Sequence, residues 1–200
     1  MTEIAQTKAG RRQFILLAVL FFAPLLAAYV LYFVVPQMRP EATTNKGTLV
    51  APVQPLPTLQ FVDADGKPHD QSALTRRWSM VYIGGAQCDE ACVAKVIQIR
   101  QVRILLAADR LRLQRVYIAP DAAALQAVRE KFGSEQPDLV YLADTGPPGM
   151  RAADFFKAKV PQALYLVDPL GNWLMIYAGD AQYKDILKDL KYLFKLSNIG

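Results

Sequence analysis

The sequence predicts an α/β domain held behind a single membrane-crossing helix, and three observations predict it. Residues 14–35 run for 22 positions without a charge. Residues 58–200 alternate short strand-like runs with longer helical ones, without an internal repeat. Both cysteines of the chain lie in Cys88-Asp89-Glu90-Ala91-Cys92, just after an apolar run, 78–83, that ends at Gly84-Gly85.

As a helix the uncharged run spans about 33 Å, the thickness of a bilayer's hydrocarbon core. Pro24 inside it is tolerated in lipid, and Tyr29 and Tyr32 fall toward its outer end, where amphipathic rings settle. Lys8, Arg11 and Arg12 precede it, so the positive-inside rule places residues 1–13 in the cytoplasm and the rest outside. A cleavable signal peptide is the competing reading. The run is longer than a normal signal core and no small-x-small cleavage site follows, which favours an uncleaved anchor. Arg11-Arg12-Gln13-Phe14 is only a weak match to a twin-arginine signal. Glu3 and the sparse N-terminal arginines argue against a transit peptide, so the expected location is a bacterial inner membrane with the C-terminal domain in the periplasm. A mitochondrial intermembrane space is the alternative.

The chain is 52% hydrophobic with a net charge of +5. Residues 1–50 hold five Lys or Arg against two Asp or Glu, so the outer part is only about +2. That balance argues against a nucleic-acid partner. Lys95, Arg100, Arg103, Arg110, Arg112 and Arg115 cluster in sequence. A solvated helix face is the expected reading, and an acidic partner or lipid headgroups the alternative. Pro36, Pro40, Pro52, Pro55 and Pro57 make 36–57 read as a tether, of about 25 Å as a coil and up to about 60 Å in polyproline II.

Within 58–200 the first strand, 59–63, is expected at a sheet edge, followed by a turn at 63–67 and a short helical piece near 72–75. Strands follow at 78–83, 114–118 and 139–142. Helices are expected over 91–108 and over 122–132, the latter capped by Asp121 and ended by Gly133. Residues 145–150 are a loop. Strands 163–167 and 173–177 form a hairpin across 168–172, and an amphipathic helix over 180–194 closes the chain. A βαβ half followed by an antiparallel hairpin and a terminal helix is a thioredoxin-like layout. Pro161, just before the hairpin, is where such domains often face the thiols with a cis-proline. A trans-proline at a strand start is equally compatible with the sequence.

If the segment after Gly85 is helical, Cys88 and Cys92 share one face about 6 Å apart, within reach of a disulfide. The helix start favours a thiolate at Cys88, which makes Cys88 the expected nucleophile, while Asp89 and Glu90 oppose it. The alternative is a structural cysteine pair.

Gly66-Lys67-Pro68, the stretch 78–84, the two-thiol motif and the stretch 165–171 together resemble, in order and spacing, the Sco/SenC family. The resemblance covers roughly 55–195 and the anchor. It implies a thioredoxin-like domain on the outer side of the membrane that helps mature the binuclear copper centre of cytochrome c oxidase. Its implied partners are an oxidase subunit or a copper chaperone, and copper is its implied cargo, with Cys88 and Cys92 as Cu(I) ligands. One departure matters. The family supplies a histidine shortly before the Tyr-Leu-x-Asp-Pro strand, where this chain has Lys159-Val160-Pro161-Gln162. His69, the only histidine, does not match that position, and Met150 is the remaining soft donor considered. Three readings stand in order: a thiol-disulfide oxidoreductase with Cys88, Cys92 and Pro161 at its site, a Cu(I) carrier, and a redox-silent assembly factor.

Overall fold

The computed structural model describes residues 3–34, 45–197 and 199–200, and the chain divides into two units, Met1–Thr44 and Asn45–Gly200. In the first, helix α1 (Glu3–Tyr29) runs through Pro24 into a π-helical turn, Val30–Val34. The stretch Gly10–Val34, with a mean hydropathy of 2.7, is long and apolar enough to cross a membrane. Helix therefore begins well before residue 14.

The second unit is an eight-stranded mixed sheet with strand order β1-β8-β7-β4-β5-β6-β2-β3. The strands are β1 (Thr48–Pro55), β2 (Gln60–Asp63), β3 (Pro68–Asp70), β4 (Trp78–Ile83), β5 (Leu113–Ala119), β6 (Leu139–Asp144), β7 (Leu164–Val167) and β8 (Asn172–Tyr177). The helices are α2 (Glu90–Leu105), α3 (Ala122–Phe132), the single turn α4 (Ala152–Phe155) and α5 (Tyr183–Leu196). β4, β5 and β6 are parallel neighbours joined through α2 and α3, because a parallel pair needs a crossover long enough to hold a helix. β7 and β8 form the antiparallel hairpin, with β7 paired to β4.

Period-two alternation divides the core between the two faces of the sheet. Trp78, Met80 and Tyr82 of β4 join the cluster built with α2, α3 and α5. Val81, Val116, Ile118 and Tyr165 join the opposite cluster, with Leu74 and with Ala152 of α4. Each long helix is placed by a buried stripe: Cys92, Val96, Ile99 and Val102 on α2, and Ile186, Leu190 and Phe194 on α5.

Three expectations change. The tether expected over 36–57 does not extend to residue 57. Residues 48–55 are edge strand β1, paired to β8, while 35–44 lie outside the described residues. Prolines at 52 and 55 argue against a central strand, but an edge strand with an irregular register between Leu49 and Gln54 accommodates them. The folded unit also begins earlier than residue 58. Buried Asp189 of α5 accepts the backbone N–H groups of Lys46 and Gly47 at 2.8–3.0 Å. Gly47 is required there, because a Cβ would stand 2.5 Å from Met175 Sδ. Finally, β2 is not an edge strand, since it lies between β6 and the short β3.

The basic cluster is not a solvated helix face. Arg115 is fully buried, and its guanidinium donates to Gln136 Oε1 at 2.8 Å and to Asp138. Arg103 donates to Leu113 O at 2.9 Å and to Asp138 at 2.5 Å. Arg112 stacks on the Phe194 ring and donates to the carbonyls of Phe194, Ser197 and Ile199, holding the C-terminal segment. Buried Lys95 donates to Gln98 Oε1 and Gly179 O, both at 2.7 Å. Only Arg100 and Arg110 remain as exposed members of the cluster.

Candidate functional site

β4 ends at Ile83, and Gly84 donates its N–H to Ile118 O at 2.9 Å, so the chain leaves the sheet beside the end of β5. Asp89 caps α2, its carboxylate accepting the Cys92 N–H at 2.9 Å. Cys88 therefore precedes the cap, and only Cys92 lies within the helix. The expectation of two thiols on one helical face is replaced by a bridge across the helix entry. The cysteines are joined by a disulfide, with Cα atoms 5.2 Å apart. Cys88 is half-buried and Cys92 is 2% exposed, so an incoming thiol meets Cys88 first. Asp89 serves as the cap as well as a nearby negative charge. Lys131 of α3 donates to Cys88 O at 2.8 Å and fixes the segment from the other side.

Beneath the bridge lie two tyrosines that the parallel register of β4 and β5 sets side by side. The rings of Tyr82 and Tyr117 are 5.6 Å apart, and the Tyr117 hydroxyl is 3.9 Å from Cys92 Sγ. Burial, reinforced by the Asp89 charge, pushes the Tyr82 phenol up to about 12 despite its bond to Gln162. Burial likewise pushes Tyr117 up, with Tyr82 and Asp89 adding to it. Both are thus neutral donors at physiological pH.

Pro161 lies in the turn three residues before β7, and its peptide bond is trans; among the described residues the cis peptide is Ala51–Pro52. The residue brought to the site from this stretch is Gln162. Its Oε1 accepts the Tyr82 hydroxyl at 2.5 Å, from a backbone held at φ +57°. A non-glycine residue in the left-handed region is uncommon, and it aims the side chain toward the tyrosine pair. A cleft of about 380 Å³ opens alongside, lined by Ala91, Ala94, Lys95, Gln98, Gln162 and 179–182.

The other candidate donors lie elsewhere. His69 is in β3, with Nε2 2.9 Å from Asp63 Oδ2, and that contact leads the effects that bring the Asp63 carboxyl down to about 2. Met150 is exposed and lines a cleft with Pro57, Thr58, Arg151, Asp154 and Phe155 that contains neither cysteine. Among the described residues no group of three or more His, Cys, Asp or Glu side chains could hold a metal ion. The thiol pair thus offers copper two soft sulfurs when reduced, and the set lacks the nitrogen donors that Cu(II) prefers.

Tyr82, Tyr117 and Gln162 were not singled out from the sequence. Alternation within 78–83 places Tyr82 on the helix-covered face, but the β4–β5 register that brings Tyr117 beside it is not written in either strand alone.

No curated protein matches the chain. Among solved structures it is similar to apo Sco1 from Thermus thermophilus, at 16% identity and a TM-score of 0.60, covering 76% of this chain and 99% of that one. It is also similar to copper-bound ScoI from Arabidopsis thaliana, at 16% identity and a TM-score of 0.58, over 70% of this chain and 98% of that one. A third is BsSco, a member of the Sco family of cytochrome c oxidase assembly proteins in which a disulfide switch was identified. It shares 20% identity with a TM-score of 0.56, over 73% of this chain and 96% of that one. The fold is therefore the thioredoxin-like fold of the Sco proteins. The model of the "Transmembrane-like, thioredoxin-like, C-terminal domain" family matches residues 78–197, which carry the bridge, the tyrosine pair and Gln162, and the chain belongs to that family.

Proposed function

We propose that this chain is a membrane-anchored thiol-disulfide oxidoreductase that works on the outer side of a bacterial inner membrane during assembly of the copper centre of cytochrome c oxidase. One observation carries the reading: a bridged pair with an accessible Cys88 and a buried Cys92 at a helix entry, where no group of three or more His, Cys, Asp or Glu side chains among the described residues could hold a metal ion. The fold shared with Sco proteins, one of them described with a disulfide switch, supports the pathway. In the reducing direction the Cys88 thiolate attacks a partner disulfide, forming a mixed disulfide and releasing one partner thiolate. The Cys92 thiolate then attacks Cys88 Sγ, re-forms the Cys88–Cys92 bond and expels the second partner thiolate. Two electrons pass to the partner.

Cys92→Ser is expected to accumulate mixed disulfides through Cys88, read as reducible adducts on non-reducing gels, while Cys88→Ser accumulates none. Trapping only in Cys88→Ser would reverse the roles. Trapping in neither, with oxidised and reduced protein equally able to support oxidase assembly, would leave the redox-silent assembly factor. The carrier reading is favoured by the two soft sulfurs alone and predicts a different result. One Cu(II) per full-length chain in detergent, resistant to a moderate chelator and lost in Cys88→Ala, would replace the oxidoreductase with the carrier.

The orientation rests on Lys8, Arg11 and Arg12 before the apolar helix. A reporter that is active only outside the cytoplasm, fused after Gly200, is expected to be active. Strong activity from a cytoplasm-dependent reporter at the same point would invert the topology.

A further inference from the structure

We infer that Tyr117 is a catalytic residue for the exchange reaction, its hydroxyl donating to the Cys92 sulfur as that sulfur becomes a thiolate. The inference rests on the oxidoreductase reading and assigns a residue to it. Tyr117 is fully buried, on a central strand paired on both sides, so its ring cannot turn away without disturbing β4 or β6. Among the described residues, the hydroxyl's hydrogen-bonding neighbour is Cys92 Sγ at 3.9 Å. A disulfide sulfur carries no hydrogen, so the phenol is the donor, and at that distance the bond is weak. It strengthens when charge develops on the sulfur, because hydrogen bonds to ionised acceptors are shorter and about twice as strong.

Gly84 makes the approach possible, since a Cβ there would overlap the Tyr117 hydroxyl and Cζ. The hydroxyl thus occupies space that only glycine leaves free, directly under the buried cysteine. Cys92 needs this contact because it lies away from water, where an unpaired thiolate is costly. Its own N–H is already used by Asp89, whose negative charge opposes a second one nearby.

When an external dithiol opens the bridge, its thiolate attacks Cys88 Sγ and forms a mixed disulfide. The Cys88–Cys92 bond breaks, and Cys92 leaves with the electron pair as a thiolate. Tyr117 keeps its proton and stabilises that leaving group by hydrogen bonding. The second thiolate of the dithiol then releases Cys88, so the dithiol is oxidised and the protein reduced.

The test compares full-length wild type, Tyr117→Phe and Tyr165→Phe in detergent, measuring bridge opening by dithiothreitol and the equilibrium with a glutathione buffer. Tyr165→Phe controls for loss of a buried hydroxyl, because Tyr165 lies in the cluster on the opposite face and its hydroxyl has no hydrogen-bond partner among the described residues. Tyr117→Phe is expected to slow opening about ten-fold and to shift the equilibrium toward the disulfide by a similar factor. Tyr165→Phe is expected to stay within about two-fold of wild type on both readouts. Wild-type-like opening and equilibrium in Tyr117→Phe, or equal effects in the two variants, would overturn the assignment while leaving the oxidoreductase reading intact. A wild-type bridge that dithiothreitol cannot open would overturn both.

Discussion

Asp138→Ala is expected to destabilise the folded domain by about 2 kcal/mol, less than removing one partner from a fully buried ion pair, because the Asp138 side chain is 39% exposed and partly screened by solvent. Asp138 joins Arg115 of β5 to Arg103 of α2 at the entry to β6, and the Arg115 side chain is 0% exposed. Without the carboxylate, Gln136 is left as the partner of a buried guanidinium. Chemical denaturation of wild type and variant measures the difference, and a loss below about 1 kcal/mol would show that the pair is solvated in solution. The effect depends on pH. Burial acts to raise the Asp138 carboxyl, but the charge and hydrogen bond of Arg115, with the Arg103 charge, outweigh it and hold the carboxyl below its ordinary value. A depressed folded pKa contributes stability that is fully present above the unfolded value of about 3.9 and is lost as pH falls through the folded value. The gap between wild type and Asp138→Ala should therefore be largest near neutrality and narrow below about pH 4. A gap that stays constant down to pH 2 would remove the electrostatic explanation.

Phe156→Ala is expected to cost about 3–5 kcal/mol, the range for deleting a fully buried aromatic side chain. Phe156 is 0% exposed and packs its ring against Phe155, Tyr165 and Trp173 at centroid distances of 5.0–5.4 Å. It follows α4, whose first N–H, that of Ala152, is accepted by the buried Asp144 carboxylate at 2.7 Å. These contacts fasten the 145–163 loop to the face of the sheet opposite α2. The same loop delivers Gln162 to Tyr82, so the variant should lose stability and also leave Gln162 poorly placed at the site. Thermal unfolding gives the first effect and a changed rate of bridge opening by dithiothreitol the second. Stability within about 1 kcal/mol of wild type would mean that the loop is held by its backbone contacts alone.

Much of the fold is legible in local pattern. The apolar run 78–83 is buried along its length, and β4 occupies those positions. Asp121 followed by the stripe Ala124, Leu125, Val128 and Phe132 marks α3 at both ends, since a cap and a 3.6-residue period are properties of adjacent residues. β1 is less legible because its partner residues are 117–128 positions away in sequence and its prolines carry the opposite local signal. The basic cluster misleads for a related reason. Lys95, Arg103, Arg112 and Arg115 carry the charge pattern of a solvated face, whereas their acceptors are carbonyls and carboxylates contributed by other elements.

At the site, the sequence by itself determined that Cys88 and Cys92 fall after a strand and a glycine turn, a spacing that allows a bridge. It also determined that an uncharged apolar run precedes the domain and that 159–162, just ahead of the second half of the sheet, holds no histidine. The tertiary structure decided which sulfur is accessible, because burial of Cys92 depends on α2 packing over Tyr117. It also decided that Gln162 reaches the site, and that Tyr117 stands against Cys92 through the space left by Gly84. Backbone preference and hydrophobic period act between near neighbours in the chain, whereas exposure, strand register and side-chain contact arise only when distant segments share one core.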